Sequence, residues 1–195
     1  MNTKLRTMAE AVAEFVREGD TLVIEGFTHL ICFAAGHEII RQKKRNLTAC
    51  RLTPDLIYDQ LVAAGCVKKL VFSWAGNPGV GSLFGLRRAV EQGIPRRVKI
   101  EEYTHFGMVA RFMAGAAKLP FMHLKSFDGS TLPQKNKMIK SIKCPYTGKR
   151  FATVPALNPD VAIIQVQRAD EEGNGQIWGL MGVQREAAFA SKKVI

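Results

Sequence analysis

Three short segments carry residue types that can act on a carbonyl or a phosphate. The first is Glu25-Gly26-Phe27, which follows the apolar run Thr21-Leu22-Val23-Ile24. A glycine at that point lets backbone approach a ligand with no Cβ in the way, and its amide can donate to an oxyanion or phosphate. A tight turn with Gly26 at positive φ accounts for the same residue equally well. The second segment is Gly76-Asn77-Pro78-Gly79-Val80-Gly81-Ser82, which is denser in glycine than a strand-to-helix turn requires. Exposed amides, the Asn77 side chain and a Ser82 hydroxyl at a helix start would suit a phosphate, a carboxylate or a thioester carbonyl. A purely structural turn is the more frequent use of such a loop. The third is Glu101-Glu102-Tyr103-Thr104-His105. A carboxylate at a strand end beside a histidine serves as nucleophile or general base when burial raises its pKa or a neighbour orients it. Residues of this kind also cap the next helix or face water, and Glu101 in particular reads that way.

Other chemistries lack their signatures. Neither the dinucleotide GxGxxG pattern nor the P-loop is present. Cys32, Cys50, Cys66 and Cys144 show no CxxC spacing, so no zinc site or dithiol motif is expected and the thiols read as reduced and mostly buried. His29, His37 and His123 have no ligand-like spacing, so no metal site is predicted.

The elements that must position these segments follow from the periodicity. Apolar residues at Met8, Val12, Phe15 and Val16 predict a helix over 5–17 that Gly19-Asp20 breaks. A strand over Thr21 to Ile24, a glycine loop and a helix around Gly36 to Gln42 come next. The pattern repeats with a strand at Leu47 to Arg51 and a helix opening at Thr53-Pro54-Asp55, with Pro54 in its first turn and Gly65 past its end. Strands are then expected at Lys69 to Trp74, Val98 to Tyr103 and Pro120 to Lys125, with helices at 83–92 and 106–117 between them. Ser126 to Arg150 mixes Gly, Pro, Lys and Ser and reads as a long functional loop. Val161 to Gln167 reads as a central strand, 170–175 as a turn, Ile177-Trp178 as a short segment, Arg185 to Ser191 as helical and Lys193-Val194-Ile195 as the start of another strand. Alternation of this kind predicts an α/β fold, a mainly parallel sheet with helices on both faces. In such sheets ligands bind beyond the carboxyl ends of the strands, where all three chemical segments fall.

The chain has 195 residues, 47% hydrophobic and 23% charged, which suits one globular domain burying roughly 70% of its unfolded surface. No apolar run is long enough to span a bilayer and no signal peptide is evident, so a cytoplasmic protein without membrane contact is expected. The net charge of +11 favours polyanionic partners. Its basic groups, Lys43-Lys44-Arg45, Arg87-Arg88, Arg96-Arg97-Lys99 and Lys135 to Lys143, are scattered and lack an aromatic platform. That argues for a small phosphorylated ligand, an acidic partner or plain solvated helix ends ahead of nucleic acid.

Taken in order, VIEGF, HEIIR, SWAGNPGVGSLFGLRRAVE, IEEYTHFGM, AAKLPF and ADEEGNGQ resemble the alpha subunit of glutaconate-type family I CoA-transferases, from about Leu5 to Ile195. The resemblance implies the ribose-phosphate isomerase/CoA-transferase fold and a pseudo-symmetric beta subunit, hence a hetero-oligomer. It implies substrates that are an acyl-CoA thioester and a carboxylic acid, with no cofactor. In that family a glutamate attacks the thioester to give an anhydride, and CoA returns to form a glutamyl-CoA thioester. The glutamate belongs to the beta subunit or a C-terminal half, so this chain alone should be inactive. The resemblance assigns Gly26 and Phe27 to the oxyanion and substrate wall and Asn77, Gly79, Val80 and Gly81 to donors for CoA or acyl group. Glu102 becomes the in-chain catalytic carboxylate. This sequence carries Glu25 where the family's first loop usually has a second glycine, and it ends earlier than its relatives, as a shortened chain would. A related branch hydrolyses carbon-carbon bonds of cyclic acyl-CoA compounds with an alpha-subunit carboxylate near Glu102. Outside that family, a sugar-phosphate isomerase lacks its acidic and lysine loops here, and a basic nucleic-acid- or protein-binding module rests on charge alone.

Overall fold

The computed structural model describes residues 3–77 and 81–195. Six parallel strands form the main sheet in the order β11-β8-β1-β2-β3-β4: β1 (Thr21–Glu25), β2 (Leu47–Cys50), β3 (Val67–Phe72), β4 (Lys99–Glu102), β8 (Val161–Ile164) and β11 (Lys193–Val194). Side chains alternate across each strand. In β1, Leu22 and Ile24 join one buried cluster while Val23 joins the other, and Leu70 and Val71 of β3 divide in the same way. Both faces are covered, which is why these strands read as nearly unbroken apolar runs. The edge strand β4 (KIEE) exposes charge instead, as an unpaired edge must to avoid further pairing.

One face carries α1 (Met8–Phe15), α2 (Phe33–Arg41), α3 (Leu56–Ala63) and, through Ala89, α4 (Phe84–Glu91). The other is packed by α5 (His105–Ala116) and α7 (Gln184–Ala190). Local signals set the helix ends. Thr7 and Glu10 cap α1 reciprocally. Asp55 accepts from the Ile57 amide at 3.2 Å to start α3, and Thr104 accepts from the Gly107 amide at 3.0 Å to start α5. Pro54 therefore precedes the cap of α3 and is not in its first turn.

Two expectations are corrected. The strand predicted at Pro120 to Lys125 does form, as β5 (Phe121–Leu124), but outside the parallel sheet. It pairs antiparallel with β7 (Arg150–Pro155), which also pairs with β6 (Lys140–Lys143). The segment read as a long loop thus contains the short α6 (Leu132–Lys135), β6 and the turn into β7. All four β6 residues are exposed, so no apolar alternation marked the strand. The turn at 170–175 closes a two-stranded ribbon of β9 (Arg168–Ala169) and β10 (Gly175–Gln176), slightly ahead of the segment expected at Ile177-Trp178.

Glu101 neither caps a helix nor faces water. It accepts from Lys69 of β3, from Arg111 of α5 at 3.0 Å and from the Tyr103 hydroxyl at 2.8 Å, tying the sheet edge to α5. Burial opposes its charge, but those partners win and hold its pKa below the usual 4.5. A depressed carboxylate stabilises the fold above its unfolded pKa and loses that contribution as pH falls. Glu101→Gln is therefore expected to lower the melting temperature at neutral pH, with the gap to wild type closing as the melts are taken below pH 4.5. Truncating fully buried Leu61 of α3 to alanine should cost about 3 kcal/mol in denaturant unfolding, because it deletes core contacts and leaves a cavity.

Candidate active site

The strand registers align the carboxyl ends of the sheet. Glu25 of β1 pairs with Ile164 of β8, Val23 and Val71 both flank Cys50 of β2, and Phe72 of β3 pairs with Glu102 of β4. The loops after β1, β3 and β4 therefore leave the same edge, as the sequence requires. At a strand spacing of about 4.8 Å, β1 and β4 stand roughly 14 Å apart. Gly26-Phe27 and Glu102 accordingly line one rim without forming one closed pocket among the described residues.

The first loop is fixed from below. A Cβ on Gly26 would lie 1.7 Å from the Leu30 carbonyl oxygen, so close packing of the 3₁₀ turn at Thr28–Leu30 is what demands glycine. Positive φ falls instead on Thr28, at 53°, a conformation disfavoured for a β-branched residue. The Gly26 carbonyl accepts a hydrogen bond from the fully buried Arg51, which follows β2. Arg51 lies 2.8 Å from Asp55 and 5.5 Å from the centroid of the Tyr58 ring. Tyr58 accepts from the Ile24 amide at 2.9 Å and donates to the Cys50 carbonyl at 2.8 Å, locking β1 to β2. Gln184, fully buried at the start of α7, donates to the Glu25 carbonyl at 3.2 Å. Phe27 itself is 41% exposed.

The second loop borders a cavity of about 490 Å³ lined by Trp74, Asn77, Gly81, Leu83, Leu86 and Arg87. A Cβ on Gly76 would lie 2.4 Å from the half-exposed Trp74 ring, which would have to turn aside. Asn77 and Gly81 bridge to each other across the loop, with Gly81 at φ 107°. Gly79 and Val80 lie outside the described residues. Helix α4 begins after Leu83 with no side-chain cap, so the Ser82 hydroxyl does not serve that end.

In the third loop Glu102 ends β4 with its side chain exposed, and its carbonyl accepts from the Asn136 side chain at 2.8 Å. His105 does not pair with Glu102. Its Nδ1 lies 3.1 Å from the Ser73 hydroxyl, which donates to the Leu52 carbonyl at 2.6 Å. These contacts join the loops after β2, β3 and β4. The sequence reading missed Ser73, Arg51, Asp55 and Gln184. For Arg51 and Asp55 a signal existed, since a cation directly after a buried strand and one helical turn before a capping carboxylate rarely faces water. Among the described residues no three His, Cys, Asp or Glu side chains gather as a metal site would require. Cys32, Cys50 and Cys66 are free and buried, and Cys144 is free and half-buried.

The family model described as coenzyme A transferase matches residues 5–195. The chain is 54% identical over 192 residues to one subunit of the 3-oxoadipate CoA-transferase of Pseudomonas knackmussii, covering 98% of this chain and 68% of that protein. It is 28% identical to one subunit of the glutaconate CoA-transferase of Acidaminococcus fermentans, covering 99% of this chain and 65% of that one. The crystal structure of that glutaconate enzyme superposes with a TM-score of 0.91 over 99% of this chain and 68% of its own. The decarboxylase AibA/AibB superposes at 0.88 with 31% identity over all of this chain and 74% of its own. A parallel sheet with three loops on one rim, matched along its length by these relatives, belongs to the coenzyme A transferase family.

Proposed function

We propose that this chain is the alpha-type subunit of a two-subunit CoA-transferase that moves CoA between an acyl-CoA thioester and a carboxylic acid. The observation that carries the reading is the shared rim of the loops after β1, β3 and β4 in a chain 54% identical to a 3-oxoadipate CoA-transferase subunit. That likeness favours a 3-oxo dicarboxylic acid as acceptor. The nucleophilic glutamate is assigned to a beta partner that completes the rim. On this chain Gly26 and Phe27 form the substrate wall, Asn77 to Gly81 offer donors to the CoA or acyl moiety, and Glu102 lines the pocket beside the partner's carboxylate. No cofactor is called for, because the thioester is itself the substrate. A cytoplasmic location belongs to the same proposal; among the described residues no helix is long and apolar enough to cross a membrane.

The exposed carboxylate of Glu102 leaves room for one second reading, a ring-opening acyl-CoA hydrolase in which Glu102 activates water or removes a proton. Labelled CoA separates the two. With a beta partner and acyl-CoA, transfer predicts protein-bound CoA label that hydroxylamine releases, and no label with this chain alone. Label that stays on a ring-opened acyl-CoA, with none bound to protein, would overturn the transfer reading. Glu102→Gln sharpens the choice: as pocket lining it should lower kcat/KM by about tenfold or less, whereas a general base should lose about 10² to 10⁴.

A further inference from the structure

Glu25 is a carboxyl group the proposed reaction does not use, and it is only 3% exposed at the end of the central strand β1. Its Oε2 has no hydrogen-bond partner, and neither has Oε1 of Gln184, whose amide nitrogen holds the Glu25 carbonyl. Arg51 Nε and Nη1 also lack an aligned acceptor, although Nη1 lies near Asp55. Native interiors rarely leave four buried polar atoms unmatched in one place. The charged and titratable groups around Glu25 are Arg51 and Asp55 beyond β2, Cys32 before α2 and Tyr58 of α3; Gln184 of α7 and Gly182 close the remaining side. One buried cation thus serves two carboxylates. With Asp55 paired to Arg51, an ionised Glu25 would leave a net buried negative charge.

We propose that Glu25 is a positioning residue, a buried carboxylic acid that keeps its proton so that Arg51 stays on the Gly26 carbonyl and the Phe27 amide is aimed into the pocket. The geometry follows from the trans peptide, in which N–H and C=O point in opposite directions. With the Gly26 carbonyl drawn inward to Arg51, the Phe27 N–H points away from that cation, and it finds no acceptor among the described residues. The Arg51 bond also polarises that peptide, making its N–H a better donor. A neutral acid adds the one donor that can serve an orphaned acceptor such as Gln184 Oε1. Once ionised, Glu25 competes for the unused donors of Arg51 and loosens the Gly26 carbonyl. Burial pushes the Glu25 pKa up to about 7, with Arg51 and the Gly26 amide pulling the other way, so the competition begins near neutrality.

The pocket whose donor is aimed rests on the CoA-transfer reading, so the test has arms that need no turnover. In the complex with the beta partner, infrared difference spectra should show a protonated-carboxyl band that disappears through about pH 7 and is missing in Glu25→Gln. Glu25→Asp should move that midpoint, which assigns the band. The sign for stability follows from a raised carboxylate pKa: the contribution is full below the unfolded value of 4.5 and is lost as pH rises through about 7. Wild type should therefore melt progressively lower relative to Glu25→Gln across that interval. In the kinetic arm, wild-type kcat/KM should fall about tenfold per pH unit above the midpoint, while Glu25→Gln keeps the acid-limb value within about threefold and loses the alkaline fall. A band already absent at pH 5, or Glu25→Gln inactive at every pH with a normal melt, would overturn the assignment. If Glu25→Gln does not fold, the wild-type and Glu25→Asp spectra decide alone. Spectra and melts as expected in an enzyme that transfers no CoA would sink the transfer reading and leave Glu25 where it is.

Discussion

A sheet of parallel strands buried on both faces must release its connecting loops at one edge, and that constraint organises everything else in this chain. The backbone of β8, β1, β2 and β3 is hydrogen-bonded laterally and covered above and below, so a ligand can reach it only where the strands stop. Each strand end is then held by a different device. Tyr58 and Arg51 secure β1 to β2, Ser73 and His105 join the ends of β2, β3 and β4, and Glu101 ties β4 to α5. None of these side chains has to touch a substrate. Together they fix the angle at which three loops enter the rim.

Much of this was legible in the sequence because burial on both faces writes long apolar runs. Thr21 to Ile24 and Lys69 to Trp74 read as strands from their apolar runs, and Gly65 marks a helix end through local backbone chemistry. The illegible parts share a physical cause. Strand β6 is exposed along its whole length, and β5 is exposed at two of its four positions, so neither announces a partner. Gly26 is special for a reason that no local rule supplies: the close approach of the Leu30 carbonyl is set by a 3₁₀ turn whose positive φ falls on Thr28, which no turn rule assigns to threonine. The buried ion pairs of Glu101 are hidden more deeply, since it looks like a surface residue until Lys69 and Arg111 are placed beside it.

The rim is also unfinished in a way that bears on assembly. Phe27, Trp74, Trp178, Leu180 and Met181 are each between 41% and 57% exposed, and all lie in loops at or next to the carboxyl edge. The segment around Trp178 adjoins the first loop, because its carbonyl accepts from Gln167 at 2.7 Å and lies 3.4 Å from His29. Large apolar side chains gathered beside candidate ligand donors are costly to leave in water and mark surfaces that another chain covers. A half-built pocket with apolar margins is what a two-subunit site looks like from one side.

Glu25 sharpens the contrast between the rim and its floor. A residue that only filled space at the end of β1 would be apolar, and replacing a buried charge cluster with well-packed hydrocarbon is often neutral or stabilising. Retaining Glu25, Arg51, Asp55 and Gln184 in the driest part of the sheet end therefore asks for a function that packing cannot supply. Aiming one peptide group is such a function. Hydrocarbon cannot pull on a carbonyl, whereas a guanidinium freed from a second carboxylate can. The floor thereby sets the direction of an amide that the rim alone, with a glycine and an exposed phenylalanine, would leave to drift.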